Sequence, residues 1–310
     1  NAARIFHADH CFFVTNGTST SNKIVWHANV ANNDIVVVDR NCHKSLNHAL
    51  TLSQARPVYL KPTRNGYGLI GPIPKSRLEK PSIDALIQNS DVAKKSESLA
   101  PTYAVVTNCT YDGFIYNVNN VIDALSPSVP RIHFDEAWYA YAKFHPLYQG
   151  RFAMGADEKP NMPTLFAVQS THKMLPALSM ASMIHVKKSE RAPLDLDDFN
   201  DAFMMHGTTS PFYPIIASMD VAVNMMKGNA GKSLVEESID ESIEFRKAVI
   251  QIKDELKKED ESSWFFDVLQ PTMVIDPETG IEYRFRDAPM ALLSQKASSW
   301  TLKAGETWHG

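Results

Sequence analysis

The length, composition and charge of the chain limit what it can be. It has 310 residues, of which 44% are hydrophobic and 21% are charged, and its formal net charge is −4. This composition is typical of a globular protein with one large domain or two. The weak negative charge and the lack of a basic tract argue against nucleic acid or a membrane surface as a partner. No apolar run reaches the length of a membrane span.

Cysteine usage predicts the compartment. The three cysteines, Cys11, Cys42 and Cys109, are few and lack the paired spacing of a zinc site. No secretion signal leads the sequence, so we expect free thiols in a reducing cytoplasm. No HExxH motif and no GxGxxG turn occurs, which argues against a zinc hydrolase and against a dinucleotide-dependent dehydrogenase.

Seven short runs rich in Val, Ile and Phe recur along the first two thirds of the chain. They lie at 11–15, 34–39, 56–61, 103–108, 131–136, 164–169 and 181–187. Continuous apolar runs are typical of strands buried on both faces. Most intervals between them are long enough for a crossover helix. The pattern predicts a three-layer α/β domain with a mainly parallel, seven-stranded sheet.

The pattern changes after about residue 212, where helical periodicity begins and is interrupted near KGNAGK. We predict a large domain at 1–212 and, at 213–310, a connecting helix followed by the start of a smaller α+β domain. Because the sequence starts without methionine and stops at WHG, we expect a piece of a longer protein.

Small hydroxyl residues follow the first predicted strand in NGTSTSN, residues 16–22. Gly17 permits a close approach of the backbone, and Thr18, Ser19 and Thr20 begin a predicted helix. Free amides and hydroxyls at a helix start suit a phosphate group. The alternative is an ordinary Ser or Thr helix cap.

An acidic and a basic residue follow two other strands. Asp135 ends the fifth run, where its carboxylate is poorly solvated without a partner; the alternative is a helix cap or a structural ion pair. Lys173 lies in QSTHKMLPALS, residues 169–179, behind an apolar run. We expect its amine to be buried, because desolvation lowers a lysine pKa and makes the amine reactive toward an aldehyde. The alternative is a surface lysine in a loop.

These three groups suit one ligand when they are taken together. Ligands of open α/β sheets bind beyond the carboxyl ends of the strands. Pyridoxal 5'-phosphate needs a phosphate site, a carboxylate for its pyridine nitrogen and a lysine for its aldehyde. Thr18–Thr20, Asp135 and Lys173 supply these groups in that order along the chain.

The sequence resembles a known family in eight segments. They are FFVTNGTSTSNKIVWHA, VVVDRNCHKS, GLIGPIP, VVTNCTYDG, HFDEAWYAYAKFHPLY, QSTHKMLPALS, FMMHGTTSP and SWFF. Together they look like the bacterial inducible lysine, arginine and ornithine decarboxylases, which are pyridoxal-phosphate enzymes of the aspartate-aminotransferase fold type. TSTSNKIVWHA and DEAWYAYA are most similar to the lysine-decarboxylating members.

The resemblance implies roles for individual residues. Lys173 would bind the cofactor aldehyde with His172 beside it, Asp135 would pair with the pyridine nitrogen and His43 would stack on the ring. The remaining cofactor contacts implied by the motifs are Thr18, Ser19, Thr20, Ala137, Trp138 and Ser170, together with Thr208, which would reach the phosphate site of a neighbouring subunit. No metal is implied. Two positions depart from the family pattern: Met180 stands where relatives usually have glutamine, and Pro176 is also unusual.

Several alternatives stay open from sequence. His43 could only cap the following helix, and Glu136 could form a surface salt bridge. The activity implied is decarboxylation of a basic amino acid, lysine first and arginine or ornithine next, with His172 or Lys173 returning the proton. An aminotransferase would need an arginine such as Arg284 or Arg286, and a non-catalytic assembly protein is the other alternative. The family implies at least a homodimer, with larger assemblies of dimers among the acid-induced members.

Overall fold

The computed structural model describes residues 1–301, which form two compact units. The first unit comprises Asn1–Thr63, Ile70–Lys143 and Gln149–Lys227. The second comprises Arg64–Leu69, Phe144–Tyr148 and the segment that begins at Gly228. The helix that follows residue 212 belongs to the first unit, and the division into domains at 212 stays a prediction.

The first unit is built on seven strands. They are β1 (His10–Val14), β2 (Ile35–Asp39), β3 (Arg56–Leu60), β4 (Tyr103–Thr107), β5 (Arg131–Asp135), β6 (Thr164–Gln169) and β7 (Ser182–Lys187). Each bound lies within one residue of the predicted run. The apolar runs therefore located every strand of the sheet.

The seven strands form one sheet in the order β1-β7-β6-β5-β4-β2-β3. Pairs β2–β3, β2–β4, β4–β5 and β5–β6 are parallel, whereas β7 is antiparallel to both of its neighbours, β1 and β6. The predicted mainly parallel sheet is confirmed. Because β1 runs in the same direction as β6, the carboxyl ends of six strands meet at one edge.

Eleven α-helices are found among residues 1–301. They are α1 (Ala2–Phe6), α2 (Thr18–His27), α3 (Lys44–Ser53), α4 (Lys75–Leu78), α5 (Lys80–Gln88), α6 (Val118–Leu125), α7 (Thr171–Met174), α8 (Leu196–His206), α9 (Tyr213–Met225), α10 (Asn229–Glu259) and α11 (Met290–Gln295). Within that range, no helix is both long enough and apolar enough to cross a bilayer.

The core of the first unit lies between the sheet and its helices. Every residue of β2, β6 and β7 is buried, as strands covered on both faces require. Helix α2 contributes Ile24, Val25 and Trp26, all fully buried, to the cluster that contains Phe166 and Phe199. Burial of side chains of this size stabilises the fold by about 1.5–3 kcal/mol each. This packing fixes the start of α2 against the sheet.

The second unit combines helices with a small sheet. Helix α10 spans 31 residues. Strands β8 (Met273–Ile275) and β9 (Glu282–Arg284) form an antiparallel hairpin in which Met273 pairs with Arg284. The expected α+β character of the C-terminal region is confirmed for the part that the structure describes.

Candidate functional site

A cavity of about 410 Å³ opens at the carboxyl edge of the sheet. Its lining comes from the segments that follow β1, β2, β4, β5 and β6. Nine predicted site residues line it: Thr18, Ser19, His43, Asp135, Ala137, Trp138, Ser170, His172 and Lys173. The predicted site residues, which run from Thr18 to Lys173 along the chain, thus share one cavity, because parallel strands end at the same edge.

The turn between β1 and α2 presents the start of a helix to the cavity. Gly17 adopts φ +78°, a left-handed conformation that favours glycine, and its N–H donates to the Met180 carbonyl at 2.8 Å. Ser19 is exposed on the cavity side, while Thr18 is buried. The first amides of a helix have no hydrogen-bond partner within the helix, and the positive end of the helix dipole lies at the same place. This turn is suited to bind an anion.

Four hydroxyls form a chain of hydrogen bonds behind the turn. Ser182 Oγ donates to the Gln169 carbonyl at 3.0 Å, so its single proton is committed. Thr18 and Ser21 lie 2.8 Å from Ser182 Oγ and must donate to it. Ser170 Oγ, 2.6 Å from Thr18 Oγ1, is then the donor of that pair. These four hydroxyls are all hydrogen-bonded, whereas the buried Thr171 Oγ1 of the lysine segment has no hydrogen-bond partner in the described part of the chain.

Two predicted cofactor residues are not among the residues that line the cavity. Thr20 is buried, and its hydroxyl donates to the Asn16 carbonyl at 3.0 Å, which directs it back into the turn. Thr208 lies beyond the end of α8, where its Oγ1 accepts from the Ser210 amide at 3.1 Å. The contact expected for Thr20 is corrected by this geometry. The role in a neighbouring subunit expected for Thr208 stays a prediction.

Asp135 lies at the end of β5 and is 3% exposed. Its Oδ2 accepts from Asn22 Nδ2 at 3.0 Å, and its Oδ1 accepts from the Ala137 amide at 3.2 Å. Burial raises the pKa of Asp135, while these two hydrogen bonds and the charges of His43 and Lys173 oppose that rise. The carboxylate is thus held by two donors in a water-poor position.

His43 caps helix α3 and also faces the cavity. Its Nδ1 accepts from the Ser45 amide at 3.2 Å and lies 2.8 Å from Ser45 Oγ. Asn22 Nδ2 donates to the same hydroxyl at 3.0 Å, which leaves the hydroxyl proton for His43. The neutral ring therefore carries its proton on Nε2. Burial lowers the pKa of His43, which favours this neutral form.

Lys173 is exposed, which corrects the expectation that its amine is buried. The short helix α7 follows β6 and carries the lysine from the buried strand to the mouth of the cavity. Its Nζ lies 4.2 Å from the centroid of the Trp138 ring. Partial burial lowers the pKa of Lys173, and the negative charge of Asp135 opposes this change. The amine is therefore accessible but shares the cavity with Asp135.

His172 and Trp138 border the amine. His172 Nδ1 lies 2.8 Å from the Ala181 carbonyl, which only accepts, so Nδ1 carries a proton and the neutral ring exposes its lone pair at Nε2. Tyr111 meets Trp138 edge-on, with ring centroids 5.9 Å apart and an interplanar angle of 84°. Ala137 lies between Asp135 and Trp138 and contributes its amide to the carboxylate.

Glu136 is fully buried, so a surface salt bridge is excluded for it. Its Oε1 accepts from Asn108 Nδ2 at 2.8 Å and from the Ala153 amide at 2.7 Å, and its Oε2 accepts from Gln169 Nε2 at 2.9 Å. Burial raises the pKa of Glu136 to about 7 against these hydrogen bonds. This carboxylate links the segments that follow β4, β5 and β6 beneath the cavity.

Sequence reasoning missed two residues of the site. Asn22 and Ser45 are 1% and 2% exposed, and Asn22 donates to both Asp135 and Ser45. The signal available was the buried position of a polar residue on the second turn of a helix, which needs a partner. Of the two arginines considered for an aminotransferase, Arg286 is engaged by Asp254 at 3.0 Å within the second unit.

Comparisons with known proteins agree with the resemblance. A family model described as Orn/Lys/Arg decarboxylase, major domain, matches residues 1–310. The biodegradative arginine decarboxylase of Escherichia coli (strain K12) is 48% identical over 310 residues, which are 100% of this chain and 41% of that protein. The chain thus spans about two fifths of the length of the curated relatives that it matches first.

Solved structures resemble the chain as well. Lysine decarboxylase A from Pseudomonas aeruginosa has a TM-score of 0.80 and 53% sequence identity, covering 86% of this chain and 35% of that one. A structure described as SPT with PLP has a TM-score of 0.52 at 11% identity, covering 78% of this chain and 52% of that one. The second likeness concerns the fold alone, a fold that a pyridoxal-phosphate protein shares. From the family match and the high identity, the chain belongs to the Orn/Lys/Arg decarboxylase family.

Proposed function

We propose that the full-length protein is a pyridoxal-phosphate-dependent decarboxylase of a basic amino acid, with lysine as the first substrate and arginine as the second. The observation that carries this proposal is the cavity that joins Lys173, Asp135, His43 and the start of α2. The family membership of the chain supports the same reaction. The preference for lysine rests on the TSTSNKIVWHA and DEAWYAYA motifs.

The chemistry of the lining residues fits this cofactor. The amides at the start of α2 and the Ser19 hydroxyl can bind the phosphate. Asp135 can bind a protonated ring nitrogen, His43 offers the face of a neutral ring, and Lys173 offers an accessible amine. When bound, the cofactor supplies an electron sink for the bond that breaks at the substrate carboxylate.

Asp135 has the part of holding a proton on the pyridine nitrogen. The donors Asn22 and Ala137 keep the carboxylate oriented, and burial makes it bind a cationic partner strongly. The neutral His43 ring limits motion on one face of the site without adding a positive charge that would compete for Asp135.

Proton return to the substrate carbon falls to Lys173 in this proposal. The Nδ1 proton of His172 is committed to the Ala181 carbonyl, so it is not free to move to the substrate. The ammonium of Lys173 carries protons at the mouth of the same cavity. His172 then serves best by accepting a hydrogen bond and orienting the ammonium.

The assembly and location are parts of the same proposal. We infer at least a homodimer in which Thr208 reaches the phosphate site of the neighbouring subunit, because its position outside the cavity leaves it available to another chain. We infer the cytoplasm from three cysteines that are all free.

Product analysis of the full-length protein tests the proposal. The protein is offered lysine, arginine and ornithine separately, and carbon dioxide and the amine product are measured. We expect carbon dioxide and the amine product to form fastest from lysine. The Lys173→Ala variant should lose turnover and the absorbance band of the bound cofactor. Retention of both by the variant, or formation of a keto acid without carbon dioxide, would contradict the assignment.

A further inference from the structure

The amine of Lys173 has a defined resting place in the protein. Its Nζ lies 4.2 Å from the centroid of the Trp138 ring, well inside the range of a cation–π interaction. Trp138 is 40% exposed, so its indole is not simply filling the core. Tyr111 meets the indole edge-on, with ring centroids 5.9 Å apart. The exposed aromatic pair thus presents a π face to a single cation.

The contact distinguishes the two forms of the amine. An indole face attracts an ammonium through its quadrupole and gains little from a neutral amine. The other titratable residues that line the cavity are Asp135, His43, His172, Cys109 and Tyr111. Of these, Asp135 favours the ammonium through its negative charge. Trp138 and Asp135 therefore act together against the desolvation of the charge.

We propose that Trp138 is a positioning residue that holds the Lys173 ammonium whenever the amine is not bonded to the cofactor. The inference rests on the proposed function for the role of Lys173, but the contact itself is a property of the free protein. The indole keeps the ammonium beside the cavity after a substrate amine has taken its place. The protonated lysine then stays within reach of the carbon that must receive a proton.

A packing role for Trp138 makes the opposite prediction. If the indole only shields the amine from water, its removal hydrates the ammonium and raises the pKa of Lys173. If the π face holds the cation, its removal lowers that pKa. The direction of the change separates the two roles.

The experiment uses the full-length protein prepared without pyridoxal phosphate. Lysines are labelled with an amine-reactive anhydride in short pulses across a pH series, and Lys173 is followed by peptide mass spectrometry. Lys188, an exposed lysine of the same unit, is the internal reference. Because only the free amine reacts, each rate at Lys173 is divided by the rate of the same variant at the alkaline plateau, which removes differences in access. On this scale we expect Trp138→Leu to label Lys173 roughly 3- to 30-fold faster below its pKa.

Trp138→Phe is the second variant, because it keeps an aromatic face with a weaker quadrupole. Its labelling rate should lie between those of the parent and Trp138→Leu, with Lys188 unchanged throughout. An unchanged or slower rate at Lys173 in Trp138→Leu overturns the inference. Cofactor absorbance of the parent protein is recorded separately, so that failure of the proposed function is distinguished from failure of this contact.

Discussion

Asn22 connects the two residues that the cofactor would meet on its ring nitrogen and on its ring face. Its single amide nitrogen donates to Asp135 Oδ2 and to Ser45 Oγ, each at 3.0 Å. The carboxylate only accepts in its ionised form, so the amide orientation is fixed by chemistry. The Ser45 hydroxyl, which accepts from Asn22, donates in turn to His43 Nδ1. One buried amide thereby favours an ionised Asp135 and a neutral His43.

Replacing Asn22 with leucine should weaken cofactor binding in a pH-dependent way. Loss of the donor raises the pKa of Asp135 further, because its hydrogen bond opposes the effect of burial. A hydrogen bond to a charged group contributes about 1.5–3 kcal/mol, so we expect the dissociation constant of the cofactor to be at least roughly tenfold larger. The loss should be largest at acidic pH, where the carboxyl group of the variant is protonated. Equilibrium dialysis of the full-length protein against pyridoxal phosphate measures it.

Ser45→Ala is the matched control for this prediction. It removes the next hydroxyl of the chain and leaves the bond between Asn22 and Asp135 in place. The control should raise the dissociation constant less than Asn22→Leu does, because the donor to Asp135 is kept. Equal losses in both variants would mean that Asn22 acts through general packing.

Single residues were predicted from sequence where a local motif marks them. Asp135 ends a strand, Lys173 and His43 each lie four residues beyond one, and the family segments contain all three. The orientation of Thr20 and the exposure of Lys173 depend on how a turn and a four-residue helix leave the sheet, which no pattern encodes. The role of Asn22 could not be predicted, because it depends on a contact with Asp135 at the end of a different strand.

Three buried carboxylates lie at or next to the ends of strands. Asp39 ends β2, Asp135 ends β5 and Glu136 follows it. Burial raises the pKa of Asp39 to about 6 against hydrogen bonds from Asn41 and Thr107. Asp39 accepts from the Thr107 amide at the end of β4, Asp135 accepts from the Asn22 side chain on α2, and Glu136 accepts from the Ala153 amide, so each carboxylate ties a strand end to another segment.

The positions of the seven strands could be predicted because apolar runs of five to seven residues mark buried strands. The order of the strands in the sheet could not be predicted, because the position of β7 between β1 and β6 depends on long-range pairing. The carboxyl-edge rule supplied the part of the topology that matters for the site.

Replacing Glu136 with glutamine should change how stability depends on pH. The folded pKa of about 7 lies above the ordinary value of 4.5, so folded Glu136 binds its proton more tightly than unfolded Glu136. Its contribution is present below pH 4.5 and is lost as pH rises through about 7, a loss of roughly 3 kcal/mol. The variant lacks this titration. Relative to the parent, its melting temperature should rise by several degrees between pH 5 and pH 8.

The network can accommodate the amide. Gln169 Oε1 accepts from His185 Nε2 at 3.1 Å, and rotation of the Gln169 amide lets that oxygen accept from the new residue instead. The His185 proton then moves to Nδ1, which has no hydrogen-bond partner in the described part of the chain. Glu97→Gln, at an exposed position, controls for the change in net charge. A temperature difference that stays constant with pH would refute the assignment.

At the scale of the whole molecule, the chain corresponds to about two fifths of its curated relatives. The first unit contains every residue that lines the cavity. Exposed apolar side chains concentrate near Thr208, with Met205 at the end of α8 and Phe212 and Tyr213 at the start of α9. Surfaces of this kind are typical of protein interfaces. The proposed second subunit would explain both the surface and the position of Thr208.

Mixing two inactive variants tests whether Thr208 serves the neighbouring subunit. Thr208→Asp places a negative charge against the phosphate, and Lys173→Ala removes the amine, so each variant alone should be inactive. In a mixed dimer, one site combines an intact Lys173 with an intact Thr208 from the other chain. Random pairing makes about half of the dimers mixed, and each mixed dimer has one intact site out of two. About a quarter of the parent activity should therefore return. If Thr208 instead serves its own subunit, each site of a mixed dimer keeps one lesion and co-expression restores nothing.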